Sequence, residues 1–352
     1  MKHHKDTTRD ENRPSVQEIG GWTLKLQQFH ERIAPHFARP EPRERAQLYL
    51  QAVLSDIARK NCWQIAEQAR QTQPYGMQRL LSSAVWDCDC VRNDVRKYVL
   101  EQLGTQGAIA VLDESGFPKR GKKSAGVKIQ YCGNTGRVEN CQVGVFLSYA
   151  TTRGHALIDR ELYLPEDWIH DQERCQIAGI PETLAFHPKW EQALHMLKRA
   201  KRAGLHFSWT VADTVYGQAT DLRVWLEEQG MPYVLGIPSD EGVCVSIQNR
   251  YHLAQARQIA AMLKQEDWHR LPMSQGTKGP RLFDWAHLPM VHKGMVDGRH
   301  WLLIRRCIND PSVLSYYLVF APPATSLLEM VEAIGESLAY RGGLATHQST
   351  GP

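Results

Sequence analysis

Two short apolar runs, AIAVLD over residues 108–113 and FSWTVAD over residues 207–213, each end in an aspartate, Asp113 and Asp213. Apolar runs of this length with polar ends read as buried strands, and strand ends are where functional side chains are usually displayed. Around them GVKIQYCGN and CQVGVFLSYAT read as further strands, with the glycine-rich GFPKRGKKSAG as a turn before them. KWEQALHMLKRAKRA and TDLRVWLEEQG carry helical spacing, and MPYVLGIP is a strand again. Strands alternating with helices predict a mixed α/β sheet.

The chain before this region follows another period. Residues 1–15 are charged and without hydrophobic period, and are expected to be a disordered tail. Over residues 16–104 apolar residues recur at threes and fours, as in AQLYLQAVLSDIARK, with Trp22, Leu26 and Phe29 on one face. The expectation is an all-helical domain that binds DNA. Its basic residues, Arg43, Arg45, Arg59, Lys60, Arg70, Arg79, Arg92, Arg96 and Lys97, are dispersed, so solvated helix faces are the plainer reading and phosphate contact the sharper one. Residues 105–336 then form the α/β domain. An insertion is expected at about 240–300, where Pro272, Gly276, Gly279, Pro280, Pro289 and Gly294 break up short segments. HWLLIRRC and SYYLVFAP resume strands, and TSLLEMVEAIGE starts a helix with Thr325 or Ser326 as N-cap. Residues 337–352 are read as an aberrant tail that does not continue this helix.

At 352 residues and 42% hydrophobic, the chain suffices for two cores, and a net charge of +4 leaves polyanion binding to local clusters. No run of 18 apolar residues and no signal-like N-terminus occur, so a cytoplasmic protein without membrane contact is expected. The eight cysteines form no CxxC pair, which points to free thiols; the short pair Cys88 and Cys90 is read as structural.

If the strands ending at Asp113 and Asp213 are neighbours, their carboxylates converge on one sheet edge and suit hard divalent cations, Mg2+ or Mn2+. Two such ions about 3.5–4 Å apart stabilise the attacking and leaving oxygens of phosphodiester displacement. The plainer alternative is that each aspartate merely caps a strand or turn.

The segment from VLDESGFPKRGKKSAG to ELYLPEDW, followed by WTVADTVYG, resembles the catalytic domain of insertion-sequence transposases of the DDE superfamily, a likeness extending over about residues 38–336. It implies an RNase H-like fold in which Asp113 and Asp213 are the first two catalytic, metal-holding residues, the second followed by Tyr216-Gly217. Thr214 stands where such relatives often have an acid. The resemblance further implies double-stranded DNA as partner, at element ends and target, and a homodimer on DNA. The basic residues Lys119, Arg120, Lys122 and Lys123 should overhang the metal site and grip phosphates, with Lys128 a weaker candidate; a solvated basic turn is the alternative. His155, His170 and His187 are read as structural or surface residues, because magnesium disfavours imidazole.

The family's third catalytic residue is a Glu on the helix after the strand matching SYYLVFAP, in a pattern like Arg-Trp-x-Ile-Glu-Glu. Here EMVEAIGE is followed by Ser337-Leu338-Ala339-Tyr340-Arg341-Gly342-Gly343, without a carboxylate. Synonymous codons chosen for Glu336 to Gly343 can, read one nucleotide later, spell Asn-Arg-Trp-Arg-Ile-Glu-Glu, so a frameshift is the preferred explanation. Glu329, Glu332 or Glu336 as a substitute ligand is the alternative. The resulting expectation is a DNA-cleaving and strand-transferring transposase impaired by loss of its third acid. The rivals are a non-catalytic DNA-binding protein or repressor derived from one, and a structure-selective RNase H-like nuclease without transposition.

Overall fold

The computed structural model describes residues 16–276 and 279–346; the tail expected over residues 1–15 lies outside them, as do residues 347–352. The chain divides into two compact units, one ending at Tyr98 and one beginning at Val99.

The first unit contains α1 (Val16–Ile33), α2 (Pro40–Val53), α3 (Cys62–Gln68), α4 (Tyr75–Ser82) and most of α5 (Cys88–Leu103). Local chemistry sets their starts. Pro40 opens α2, where the missing N–H costs nothing. Asn61 caps α3 by accepting from Gln64 N at 3.0 Å, and Asp87 Oδ1 accepts from Cys90 N at 2.8 Å at the head of α5. Ile33, Phe37, Ala46 and Leu80 form one small core, Ala52, Ile65, Ala66 and Met77 another. The α1 stripe is buried only toward its end, since Trp22 remains exposed. Arg96 is buried, unlike the solvated residue its dispersed neighbours suggest.

The second unit is a mixed α/β structure built on one large mixed sheet, consistent with an RNase H-like domain. Its first part holds β1 (Ile109–Pro118), β2 (Lys128–Cys132), β3 (Arg137–Thr151), β4 (Gly154–Tyr163), α6 (Glu166–Ile169), α7 (Gln172–Ile177) and α8 (Lys189–Arg202). There follow β5 (Trp209–Ala212), α9 (Thr214–Gly217), α10 (Thr220–Glu228), β6 (Tyr233–Ile237), β7 (Gly242–Ile247), β8 (Arg250–Gln255) and α11 (Ala256–Met262). The last part is β9 (His269–Gly276), β10 (Gly279–His292), β11 (Met295–Arg306), β12 (Leu314–Phe320) and α12 (Leu327–Thr346). β1, β5 and β6 run parallel; β3 is antiparallel to β1 and β4 to β3. β12 pairs antiparallel with β6 and continues through β11 and β10 to β7 and β8.

The segment expected as a broken insertion is therefore strand-rich and joined to the same sheet. Two of its prolines sit at irregularities rather than in loops: the β10–β11 register shifts between Pro289 and Val291, and the β9–β10 register shifts beside Pro272. Proline cannot donate to a ladder, so bulges are where a strand tolerates it.

α12 also differs from expectation, continuing as helix to Thr346. It packs on β1, β3, β5, β6 and β9. Met330, Val331, Ala333 and Ile334 are buried there with Val111, Val211, Val234 and Val319. Among the described residues no helix is long and apolar enough to cross a membrane, and all eight cysteines are free.

Candidate active site

β1 and β5 pair in parallel up to Leu112 opposite Ala212. Asp113 and Asp213 are the next residues on the two strands, whose spacing is about 4.8 Å. Side chains alternate along a strand, so both aspartates share the face of Val111 and Val211, the face that α12 covers. Both are half-buried.

The strand of Asp113 does not end there. β1 continues to Pro118, paired with β3 alone, and Asp113 lies opposite Phe146 within that ladder. What ends at Asp113 is the pairing with β5, because β5 turns into α9. Asp213 caps this short helix, its Oδ1 accepting from Val215 N at 3.0 Å. Asp113 Oδ1 likewise accepts from Glu114 N at 2.9 Å. Each carboxylate thus has one oxygen fixed by a backbone N–H.

Close backbone packing explains Tyr216-Gly217. Tyr216 is fully buried. A Cβ on Gly217 would lie 1.8 Å from the carbonyl oxygen of Gly236 on β6, and one on Gly236 would lie 3.1 Å from Thr214 N. Gly217 must lack a side chain for the turn after Asp213 to sit on its neighbouring strand, and a side chain at Gly236 would be tight there.

A cavity of about 340 Å³ opens beside Asp213, lined also by Arg305 of β11, Ser315 and Tyr317 of β12 and Ile334 of α12. Arg305 is held there by a 2.8 Å hydrogen bond to Ser315 Oγ and lies over the Phe283 ring. Sequence reasoning missed it; the signal was the double arginine inside HWLLIRRC, in which alternation sends one arginine to each face.

The acids of α12 lie elsewhere. At about 100° per residue, Glu329, Glu332 and Glu336 stand roughly opposite Ile334, which faces the cavity. Glu329 and Glu332 are exposed; Glu336 is half-buried, and burial, then the Glu332 carboxylate, push its acid up. Beyond Glu336 the helix sequence SLAYRGGLAT holds no carboxylate.

The basic residues begin past the end of β1. Pro118 is five residues beyond Asp113, about 16 Å at strand rise. Lys119 N donates to Asn140 O at 2.8 Å, while Arg120, Lys122 and Lys123 are exposed. Lys128 pairs with Asp167 at 3.0 Å. The turn nearer the aspartates carries Asn134, 3.3 Å from Ser115 Oγ. His155 and His170 are exposed. His187 is not isolated: its Nδ1 lies 3.0 Å from Glu191, and ligand atoms of His187, Glu191 and His195 fall within 4.8 Å of one another.

Two oxygen donors from adjacent strands on one half-buried face fit a hard divalent cation as part of its ligand set.

Residues 32–279 match the family of DDE superfamily endonucleases. Over 202 residues the chain is 28% identical to a probable transposase for insertion sequence element IS701 from Microchaete diplosiphon, covering 57% of this chain and 50% of that protein. It thus spans about half the length of this curated relative. Among solved structures, the NurA nuclease from Sulfolobus solfataricus aligns over 69% of this chain and 78% of its own at 7% identity, with a TM-score of 0.27, too low a likeness to bear on the fold.

Proposed function

The chain belongs to the DDE superfamily endonuclease family, and on that premise we propose that it is an insertion-sequence transposase acting on double-stranded DNA, with Asp113 and Asp213 as its first two catalytic, metal-holding residues. The observation that carries this reading is the side-by-side placement of the two aspartates, one residue past the β1–β5 ladder and under α12. Magnesium or manganese bound there supplies charge stabilisation to the attacking and leaving oxygens of a phosphodiester. The chain's own groups do the positioning. The Glu114 and Val215 N–H groups hold the carboxylates in orientation, and Arg305 offers a cation to a phosphate on the same face. Arg120, Lys122 and Lys123 hold the duplex further out, and two copies meet on DNA.

The same geometry supports impairment. The known acids of α12 stand on the face away from Asp213, and the helix beyond Glu336 has none. The test is cleavage and strand transfer of DNA bearing element ends, in magnesium. This chain is compared with one in which residues 336–342 are replaced by Asn-Arg-Trp-Arg-Ile-Glu-Glu. Product is expected only from the rebuilt chain, and only while Asp113 and Asp213 are intact. Strong activity of the present chain, abolished by Asp113→Ala, overturns the impairment; rebuilt activity that survives both aspartate substitutions overturns the site.

A second reading, a DNA-binding repressor without catalysis, is favoured by one feature of the helical unit. Arg39, Arg45 and Arg79 line one cleft of about 510 Å³, a grouping suited to phosphates. Metal-free gel shifts with element ends, weakened by Arg45→Ala and Arg79→Ala, separate this role from catalysis.

A further inference from the structure

Glu227 near the end of α10, His292 at the end of β10 and His300 in β11 come from three elements, yet their ligand atoms lie within 4.8 Å of one another. They border a cavity of about 200 Å³ that also reaches Thr220, Arg223 and Glu241. His300 and Tyr233 are buried.

Each of these groups is held by a neighbour. The Asp297 carboxylate lies 2.7 Å from His300 Nδ1, which turns the other ring nitrogen inward. That Nε2 is buried and stands 3.4 Å from Glu227 Oε1, within ion-pair distance. The Tyr233 hydroxyl donates to Glu227 Oε1 at 2.7 Å. The His292 ring stacks on His300 with centroids 4.1 Å apart and planes 8° apart. A carboxylate behind a histidine, with the second nitrogen turned toward another carboxylate in a buried pocket, is the outer-shell pattern that prepares imidazole for a metal.

We propose that Glu227, His292 and His300 form a binding site for a zinc-class divalent cation, separate from the aspartate site. Two nitrogens and one carboxylate oxygen match a borderline-soft ion and mismatch magnesium. Tetrahedral coordination with bonds of about 2.0–2.1 Å needs donors about 3.3 Å apart, so modest side-chain rotation closes the group. The site is also distant along the strands. Tyr233 starts β6 and pairs with Thr210, whereas Asp213 stands beside Gly236 toward the other end. An ion there ties α10, which follows the Asp213 turn, to β10 and β11.

The test is titration of the intact chain with zinc followed by calorimetry, and with cobalt followed by its visible spectrum. One tight zinc equivalent is expected, lost in His292→Gln and His300→Gln and weakened by about 10–100-fold in Asp297→Asn. Glu191→Gln with His195→Gln serves as reference, because that second histidine group also has ligand spacing; it is expected to leave the tight equivalent in place. Circular dichroism establishes that each variant is folded. Absence of tight zinc binding by the folded wild-type chain overturns the proposal, as does zinc retained by folded H292Q and H300Q or lost in the reference variant.

Discussion

The two halves of the sheet are held together by different forces. In the parallel half, Ala110, Val111 and Leu112 of β1 and Val234 and Leu235 of β6 are wholly buried, and the turn after Asp213 rests on Gly236 by backbone contact. In the antiparallel half, charged side chains link the strands: Arg270 and Arg306 bracket Asp284 at 3.0 and 3.2 Å, and His300 lies between Asp297 and Glu227. The strands carrying the aspartates thus rest mainly on close packing, and the neighbouring half adds charge between its strands to a buried core of Trp285, Leu302, Leu303 and Ile304. One fixed ion pair, Lys189 with Glu114 at 2.7 Å, stands next to Asp113, while the stability of the other half follows pH and salt.

Breaking the shape dependence should have the largest effect. Gly217→Ala puts a methyl group into the Gly236 carbonyl and is expected to cost about 3 kcal/mol or more, read as a lower urea midpoint. Gly236→Ala, with its nearest atom at 3.1 Å, should cost less; equal stability of Gly217→Ala and the wild type would sink the close-packing account.

The charge dependence is sharpened by Asp284. The Arg270 hydrogen bond lowers its acid, burial opposes this, and Arg306 adds to the lowering. A depressed carboxylate stabilises the fold above its unfolded value, about 3.9, and that contribution disappears as pH falls through the folded value. Asp284→Asn should accordingly cost about 1–2 kcal/mol at pH 7 and less at pH 3; a pH-independent loss would count against the ion-pair origin. The smallest effect belongs to Lys128→Ala, whose partner Asp167 is as exposed as itself. Its expected cost is under about 0.5 kcal/mol by thermal unfolding. If Lys119, Arg120, Lys122 and Lys123 hold phosphates, replacing all four with alanine flattens the salt dependence of DNA binding by about 3–4 units of slope.

Much of this fold could be read from apolar runs, because β1, β5 and β6 are buried on both faces and leave continuous hydrophobic stretches. Asp113 and Asp213 were visible as the polar ends of those runs. What lay hidden was pairing: that β1 outlasts its partner by several residues depends on β3, some 30 residues later, and no local pattern reports it. β10 was obscured for another reason, since Pro280 and Pro289 resemble loop signals until the register shift beside Pro289 is seen. The group of Glu227, His292 and His300 was beyond reach because each owes its meaning to residues on other elements. α12 was cut short by reading residues 337–352 as an aberrant tail, although the backbone continues as helix to Thr346.

The two halves meet along one ladder of five residue pairs, Tyr316 to Phe320 against Ile237 to Tyr233. Everything outward of that seam can lengthen, shorten or be redecorated by evolution without changing the register between β1 and β5. Such a sheet grows as a fence grows from a fixed post, and diversity in what related chains grasp should accumulate on the far panels while the spacing of the two aspartates stays still.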